Sequence, residues 1–165
     1  MKVKWKPLAA SIVNVNFDSA MFAESNDVGI GVVICNYKGE VMAALSKKIA
    51  HLSSVDILEM LAVRRVAQFI VELGFPQAVF KGDSVGIIKA LADGYFALSS
   101  FSHLVKDFSS ILGLCHSHSF SNVRRQGNSV THALAQRVRL SFPLMIWMEN
   151  VPSDVFQFVL KDFPV

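Results

Sequence analysis

Three carboxylates occupy positions at which a folded chain rarely leaves a charge alone. Asp18 ends an alternating apolar–polar stretch, Asp83 directly follows a second apolar stretch, and Glu59 lies inside a run with helical periodicity. Carboxylates that converge repel one another unless a cation neutralises them. Hard oxygen ligands of this kind suit Mg²⁺ or Mn²⁺. A pair of such ions about 3.5–4 Å apart is a common means of hydrolysing phosphodiesters.

Glu59 is unusual because of its position on the predicted helix. The run 56–73 contains neither proline nor glycine and repeats apolar residues at helical spacing. At that spacing the neighbours of Glu59 are Ala62, Val63, Val66 and Ile70, which belong to the face expected to meet the core. Burying a lone charge is costly unless another group pairs with it. The sequence therefore predicts a partner for Glu59.

Each of the three acids also has an ordinary interpretation when taken alone. Asp83 can act as the N-cap of a helix, because it precedes a predicted helical stretch. Asp18 can be a turn residue. Glu59 can pair with an arginine or extend its carboxylate to solvent. The convergence of all three acids is a hypothesis that rests on the order of the elements around them.

Composition limits the class of protein. The chain has 165 residues, of which 52% are hydrophobic, so it can bury a core and is not disordered. We expect one domain over residues 1–165, with a core of about 8–140 and an irregular C-terminal strap over 141–165. The mean hydropathy is +0.42, but no apolar run is long enough to cross a bilayer, so we expect no membrane association.

Cysteine usage and charge indicate the compartment and the class of partner. Cys35 and Cys115 are far apart and form no C-x-x-C motif, which predicts free thiols and an intracellular protein of the nucleus or cytoplasm. The net charge of +3 and the isoelectric point near 9.0 permit a polyanionic partner. We expect a monomer, although the sequence does not determine the oligomeric state.

Alternation and helical periodicity predict the order β-β-β-α-β-α-α-β-α. The predicted strands are 12–18, 28–35, 40–46, 77–82 and 116–123, and the predicted helices are 56–73, 83–94, 100–114 and 128–140. The first three strands form an antiparallel meander, and strands joined through helices are usually parallel. The fold class is therefore α/β, with a mixed five-stranded sheet and helices on both faces. A fourth strand beside the first would bring Asp18 and Asp83 to the same edge.

Five motifs in this order resemble the type 1 ribonuclease H domain, in the version found as plant retrotransposon-derived reverse-transcriptase-like domains. The motifs are N-V-N-F-D-S-A, V-G-I-G-V-V-I-C-N-Y-K-G-E-V, L-E-M-L-A, K-G-D-S-V and V-R-R-Q-G-N-S-V-T-H-A-L-A. The resemblance extends from about residue 5 to about residue 150. The resemblance implies an RNase H-like fold and cleavage of the RNA strand of RNA–DNA hybrids by a pair of divalent ions.

The resemblance also implies roles for particular residues. Asp18 would bridge the metals, and Glu59 and Asp83 would hold the ion on the leaving-group side, with Glu59 also near a ribose 2′-OH. The family's fourth carboxylate follows four residues after an asparagine, here Asn128, and that position holds His132. Imidazole suits Mn²⁺ better than Mg²⁺, so we expect modest, Mn²⁺-favoured activity. The ordinary interpretation of His132 is a solvated histidine.

Basic residues near the last motif are candidates for binding nucleic acid. Arg124, Arg125 and Asn128 are predicted to contact an RNA–DNA hybrid or another nucleic acid, and Arg137 and Arg139 extend the basic cluster. A solvated basic face is the alternative. Because His132 replaces a carboxylate, a second functional hypothesis stays open: a catalytically silent RNase H fold that binds nucleic acid or protein.

Overall fold

A computed structural model describes residues 12–50, 55–83, 88–89, 102–115, 117–140 and 143–162. Within these ranges, the side chains of residues 50, 55–60, 102–106, 140 and 160 are not described. The predicted helix 83–94 therefore lies mostly outside the described residues, and within it Ile88 and Lys89 are helical.

Six strands and four α-helices make up the described fold. The strands are β1 (Ile12–Phe22), β2 (Asp27–Cys35), β3 (Val41–Ala50), β4 (Gln77–Gly82), β5 (Ser117–Asn122) and β6 (Leu144–Met148). The helices are α1 (Val55–Leu73), α2 (Ser102–Leu112), α3 (Ser129–Gln136) and α4 (Phe156–Asp162). Short 3₁₀ turns precede and follow α3, over Arg125–Gly127 and Arg137–Leu140.

The strands form one mixed sheet in the order β5-β4-β1-β2-β3-β6. The pairs β1–β2, β2–β3 and β3–β6 are antiparallel, whereas β1–β4 and β4–β5 are parallel. The predicted α/β fold with an antiparallel meander and two parallel strands is confirmed, but the sheet has six strands instead of five. The C-terminal residues predicted as an irregular strap instead form β6, which pairs with β3, and α4.

The centre of the sheet is buried on both faces, as alternate residues of β2 show. Ile30, Val32 and Ile34 are buried in the cluster that includes α1 and α2. Val33 and Cys35 are buried in the opposite cluster with α3 and residues around α4. Because successive side chains of a strand point to opposite faces, a strand buried on both faces is apolar throughout. The helices therefore lie on both sides of the sheet.

Strand β1 is longer than the alternation of its first half predicts. The strand was predicted to end at Asp18 but continues to Phe22. Ala20 and Phe22 extend the alternation on the face that carries Asp18, and they are buried against Ala135 and Val138. Asp18 is therefore in the middle of a strand and not at its end.

No helix of the described residues is long and apolar enough to cross a membrane.

Candidate active site

Asp18 lies on β1, and Asp83 directly follows the neighbouring parallel strand β4. β1 and β4 pair in parallel up to Asn16 and Lys81, and Asp18 and Asp83 each come two residues further along. In a parallel pair, matched positions point to the same face of the sheet. The parity of both strands puts the acids on the face opposite α1, because Phe17 and Phe80 belong to the α1 cluster. The predicted meeting of Asp18 and Asp83 agrees with this register.

The carboxyl group of Asp18 is in an unfavourable environment for a negative charge. Burial raises its pKa above the ordinary value of 3.8, and repulsion from Asp83 raises it further. The backbone N–H of Ser19, which donates a hydrogen bond to Asp18 Oδ1 over 2.8 Å, and the side chain of His132 lower the pKa and so partly offset these effects. Asp18 therefore lacks enough positive charge around it, as a metal ligand without its metal would.

Asp83 has a buried oxygen without a hydrogen-bond donor among the described residues. Its side chain is 15% exposed, and its buried Oδ2 accepts no hydrogen bond from any residue that the structure describes. The Nε atom of Arg125 lies 3.5 Å from Oδ2, which makes an ion pair but is long for a hydrogen bond. A buried oxygen that accepts no hydrogen bond is costly. A cation beside Asp83 would offset that cost.

Glu59 lies in the second turn of α1. Its side chain is outside the described residues, so its predicted convergence with Asp18 and Asp83 stays a prediction. The neighbours at helical spacing, Ala62, Val63, Val66 and Ile70, are buried in the core. The backbone of α1 thus agrees with the interpretation that Glu59 belongs to the face of the helix that meets the sheet.

Two glycines of β2 allow α3 to lie directly on the sheet. A Cβ atom added to Gly31 would come within 2.1 Å of the Thr131 carbonyl oxygen, and one added to Gly29 would meet the Ala135 carbonyl oxygen at the same distance. Any side chain at these positions would hold the helix away from the strand. Gly31 is also the residue that pairs with Asp18 across the β1–β2 ladder. The absence of side chains at Gly29 and Gly31 therefore allows α3 to lie close to Asp18.

Asn128 ties the beginning of α3 to β1. Its side-chain amide donates to the Phe17 carbonyl oxygen at 3.0 Å and accepts from the Asn16 amide at 3.2 Å. Asn128 is 1% exposed. Its side chain therefore positions α3 beside the residue that precedes Asp18. The contact with nucleic acid predicted for Asn128 would require this amide to leave its buried hydrogen bonds.

Two further contacts hold α3, and neither was predicted from the sequence. The hydroxyl of Ser46 on β3 donates to the Leu134 carbonyl oxygen at 2.8 Å. The carboxylate of Asp162 at the end of α4 accepts hydrogen bonds from the Ser129 hydroxyl and from the Val130 N–H, the latter at 2.8 Å. Asp162 thus caps the N-terminus of α3, where free N–H groups and the helix dipole favour a negative charge.

His132 lies next to Asp18 as a result of this packing. Its Nδ1 atom is 3.3 Å from Asp18 Oδ2. The imidazole is half exposed, so it borders the acid pair from the solvent side. The ordinary interpretation of a merely solvated histidine is therefore incomplete. The structure brings Asp18, Asp83 and His132 to one place on the sheet.

The predicted basic cluster separates into two parts. Arg124 and Arg125 are exposed on the loop between β5 and α3, and Arg125 reaches Asp83. Arg137 instead pairs with Asp154 and lies over the ring of Trp147, and Arg139 lies over the ring of Phe22 at 4.5 Å. Arg125 is therefore the member of the cluster seen to contact the acid pair, and Arg124 precedes it on the same exposed loop.

The chemistry of the site fits a divalent cation. Two carboxylates supply hard oxygen ligands. An oxygen of Asp83 is buried and accepts no hydrogen bond from the described residues, and burial and repulsion from Asp83 raise the pKa of Asp18. Among the side chains that the structure describes, no group of three or more His, Cys, Asp and Glu residues is arranged to hold a metal ion. The predicted third ligand, Glu59, is outside that set.

Comparison with protein families identifies the chain. The model of the reverse transcriptase-like family matches residues 16–138. The chain belongs to the reverse transcriptase-like family. The matched region includes Asp18, Asp83 and His132. The predicted membership of the reverse transcriptase-like, RNase H-like family is confirmed, whereas the plant retrotransposon origin stays a prediction.

Solved structures show that this reverse transcriptase-like chain has the RNase H fold. RNase H1 from Halobacterium salinarum is 20% identical, with a TM-score of 0.69 over 78% of this chain and 97% of that one. LC11-RNase H1, isolated from compost and solved with an RNA/DNA hybrid, is 18% identical, with a TM-score of 0.65 over 76% and 94%. The N-terminal RNase H domain of a Mycobacterium tuberculosis protein is 18% identical, with a TM-score of 0.64 over 76% and 91%. No curated protein sequence gives a significant match.

Proposed function

We propose that this chain hydrolyses the RNA strand of RNA–DNA hybrids with the help of divalent cations. The observation that carries the proposal is that Asp18 on β1 and Asp83, directly after the neighbouring strand β4, lie together, with one buried oxygen of Asp83 that accepts no hydrogen bond from the described residues. The RNase H fold supports the choice of substrate, because a neighbour of the same fold was solved with an RNA/DNA hybrid.

The residues of the site have distinct roles in this proposal. Asp18 and Asp83 hold the cations through carboxylate oxygens, and Glu59 is the third ligand by family resemblance. Bound Mg²⁺ or Mn²⁺, as a pair of ions, supplies an activated water and neutralises charge on the phosphate. His132 stands beside Asp18 in place of the family's fourth carboxylate. Because imidazole suits Mn²⁺ better than Mg²⁺, we expect Mn²⁺ to give the higher activity.

Arg124 and Arg125 are the proposed nucleic-acid contacts. Both are exposed on the loop that leads from β5 to α3, next to Asp83. Guanidinium groups bind phosphates bidentately, and such contacts release counterions and weaken with salt. Selection of a hybrid over other duplexes rests on helix shape and the 2′-OH groups. Binding should therefore fall steeply as salt concentration rises.

Cleavage of labelled duplexes tests the proposal. The RNA strand of a hybrid, one strand of an RNA duplex and one strand of a DNA duplex are each labelled and incubated with the protein in Mg²⁺ or in Mn²⁺. We expect cleavage of the hybrid's RNA strand, faster in Mn²⁺, with the two other duplexes intact. Intact hybrid in both metals, at protein concentrations that bind it, would refute the proposed hydrolysis.

A second candidate function is a catalytically silent binding module. The contact between His132 and Asp18 favours it, because the imidazole occupies an oxygen of the acid that should bind the metals. In that case the fold retains its nucleic-acid surface but not its chemistry. Salt-dependent hybrid binding without cleavage in either metal would support this function over the first.

A further inference from the structure

Arg125 is the cationic side chain that lies on Asp83. Its Nε atom is 3.5 Å from the buried Oδ2 oxygen, which accepts no hydrogen bond from the described residues. The guanidinium therefore stands on the side of Asp83 where a metal ion would satisfy the same oxygen. An arginine in that position partly neutralises Asp83.

The contact between Arg125 and Asp83 is loose. The side chain of Arg125 is 81% exposed, and the separation exceeds that of a good charge-assisted hydrogen bond. Exposed ion pairs of this kind contribute little net free energy. The guanidinium can therefore leave Asp83 at low cost when a stronger cation arrives.

The backbone below Arg125 is fixed, in contrast to its side chain. Val123, two residues earlier, donates its N–H to the Gly82 carbonyl oxygen at 2.9 Å, and the N–H of the buried Asn128 donates to the carbonyl oxygen of Arg125 at 3.0 Å. The loop thus joins the end of β4 to the start of α3. A long side chain on a fixed backbone can exchange partners without a change in the fold.

We propose that Arg125 is an exchangeable counter-ion that couples metal binding to nucleic-acid binding. In the metal-free protein its guanidinium neutralises Asp83. A divalent cation displaces it, and the released guanidinium then binds a phosphate of the nucleic acid. The inference rests on the proposed function, because it takes Asp83 as a metal ligand.

Thermodynamic linkage makes this exchange measurable. If metal binding releases Arg125 for a phosphate, metal and nucleic acid each raise the affinity of the protein for the other by the same factor. Removing the guanidinium removes a competitor of the metal, and it also removes a phosphate contact that forms only after the metal has bound. The two effects of one substitution therefore have opposite signs.

Arg125→Gln and Arg124→Gln form a matched pair for the test. Both remove one positive charge from the same exposed loop, but among the ion pairs of the described residues only Arg125 reaches Asp83. Mn²⁺ binding is measured from the electron paramagnetic resonance of free Mn²⁺. Hybrid binding is measured by fluorescence anisotropy, with and without Mn²⁺, on a hybrid whose RNA strand carries 2′-O-methyl groups and resists cleavage.

The variants are expected to differ in both measurements. Because an exposed ion pair is weak, Arg125→Gln should tighten Mn²⁺ binding by about two- to fivefold, whereas Arg124→Gln should not tighten it. Without metal, Arg125→Gln should bind the hybrid as the wild type does. With Mn²⁺ it should bind more weakly than the wild type, whereas Arg124→Gln should weaken hybrid binding equally in both conditions.

Three results would overturn the inference. The first is an unchanged affinity of Arg125→Gln for Mn²⁺. The second is an equal change of Mn²⁺ affinity in Arg125→Gln and Arg124→Gln. The third is failure of the wild type and both variants to bind Mn²⁺. The first two results leave the proposed function standing, whereas the third refutes both proposals. If the wild type binds Mn²⁺ and Arg125→Gln binds it more tightly, but no hybrid is cut, the counter-ion role stands and hydrolysis does not.

Discussion

The Nδ1 atom of His132 lies 3.3 Å from Oδ2 of Asp18, although the two residues are 114 positions apart in the chain. Gly31 allows α3 to approach the sheet, Asn128 ties the first turn of α3 to β1, and Asp162 caps it. The contact is therefore built by the fold and does not arise from a chance approach of two surface side chains. It places an imidazole where the family resemblance predicts a carboxylate.

Replacing His132 with aspartate should raise activity in Mg²⁺. A carboxylate at this position adds a hard oxygen ligand and removes the imidazole from Asp18. Since changes beside a metal ligand alter activity by about 10- to 100-fold, we expect His132→Asp to raise Mg²⁺-dependent hybrid cleavage by about tenfold. His118→Asp, at an exposed position on the edge strand β5, is the control for the added negative charge. Equal Mg²⁺ rates in the wild type and His132→Asp would contradict this role.

Adding one methyl group at Gly31 should separate α3 from the sheet. A Cβ atom there would lie 2.1 Å from the Thr131 carbonyl oxygen and 2.7 Å from the Ala135 nitrogen. Overpacking of this kind costs about 1–3 kcal/mol, so Gly31→Ala should lower the free energy of unfolding by that amount in urea titrations. Gly127→Ala is the control, because its Cβ would meet Val123 at an ordinary 3.4 Å. Equal stability of the two variants would show that α3 does not pack as described.

Removing the Asp162 carboxylate should destabilise the N-terminus of α3. Asp162 accepts hydrogen bonds from the Ser129 hydroxyl and the Val130 N–H. Loss of such a cap costs about 0.5–2 kcal/mol, and urea denaturation of Asp162→Ala should show this loss. Asp162→Asn keeps an oxygen acceptor but loses the charge, so its stability should fall between those of the wild type and the alanine variant. An alanine variant as stable as the wild type would contradict the cap.

Asp18→Asn should stabilise the metal-free protein at neutral pH. Burial and repulsion from Asp83 raise the pKa of Asp18 in the folded state above 3.8, so the folded state binds the proton more tightly than the unfolded state does. The stability of the wild type therefore falls as pH rises from the unfolded pKa through the folded pKa. Above that window the ionised carboxylate destabilises the fold, and the asparagine variant avoids this cost.

Thermal unfolding with a chelator present checks this pH dependence. The melting temperature of Asp18→Asn should exceed that of the wild type at pH 7, and the difference should shrink as pH falls below 3.8. Glu24→Gln, in the exposed turn between β1 and β2, removes the same charge without such a gain. A less stable Asp18→Asn at pH 7 would mean that the Asp18 charge is well compensated in the metal-free protein.

The parts of the fold that follow from local pattern were predictable from the sequence. Strand β4 has the predicted bounds, 77–82, because Pro76 precedes it, its residues alternate and Gly82 ends it. The parallel direction of β4 also followed, since a helical crossover favours it. The place of β4 beside β1 was a condition of the predicted meeting of Asp18 and Asp83, and the structure supplies it.

Features that depend on distant contacts were not predictable in the same way. The segment Leu144–Met148 is apolar at every position, so it lacks the alternation that marks a half-buried strand. Asn128 is polar, and its burial depends on partners 111 and 112 positions away. The contact of Arg125 with Asp83 depends on the path of a loop. Alternation along β1 does place Asn16 on the same face of the strand as Asp18.

The most direct test of the account is hybrid cleavage by the wild type and by Asp18→Asn and Asp83→Asn, at equal protein concentration and over a range of Mn²⁺ and Mg²⁺ concentrations. A hybrid with a labelled RNA strand is the substrate, and anisotropy in parallel shows that each protein still binds it. We predict that the wild type cleaves the hybrid only with metal, and faster in Mn²⁺. Both variants should still bind the hybrid but should not cleave it. Cleavage by Asp18→Asn at the wild-type rate, or no cleavage by a wild-type protein that binds the hybrid in both metals, would contradict it.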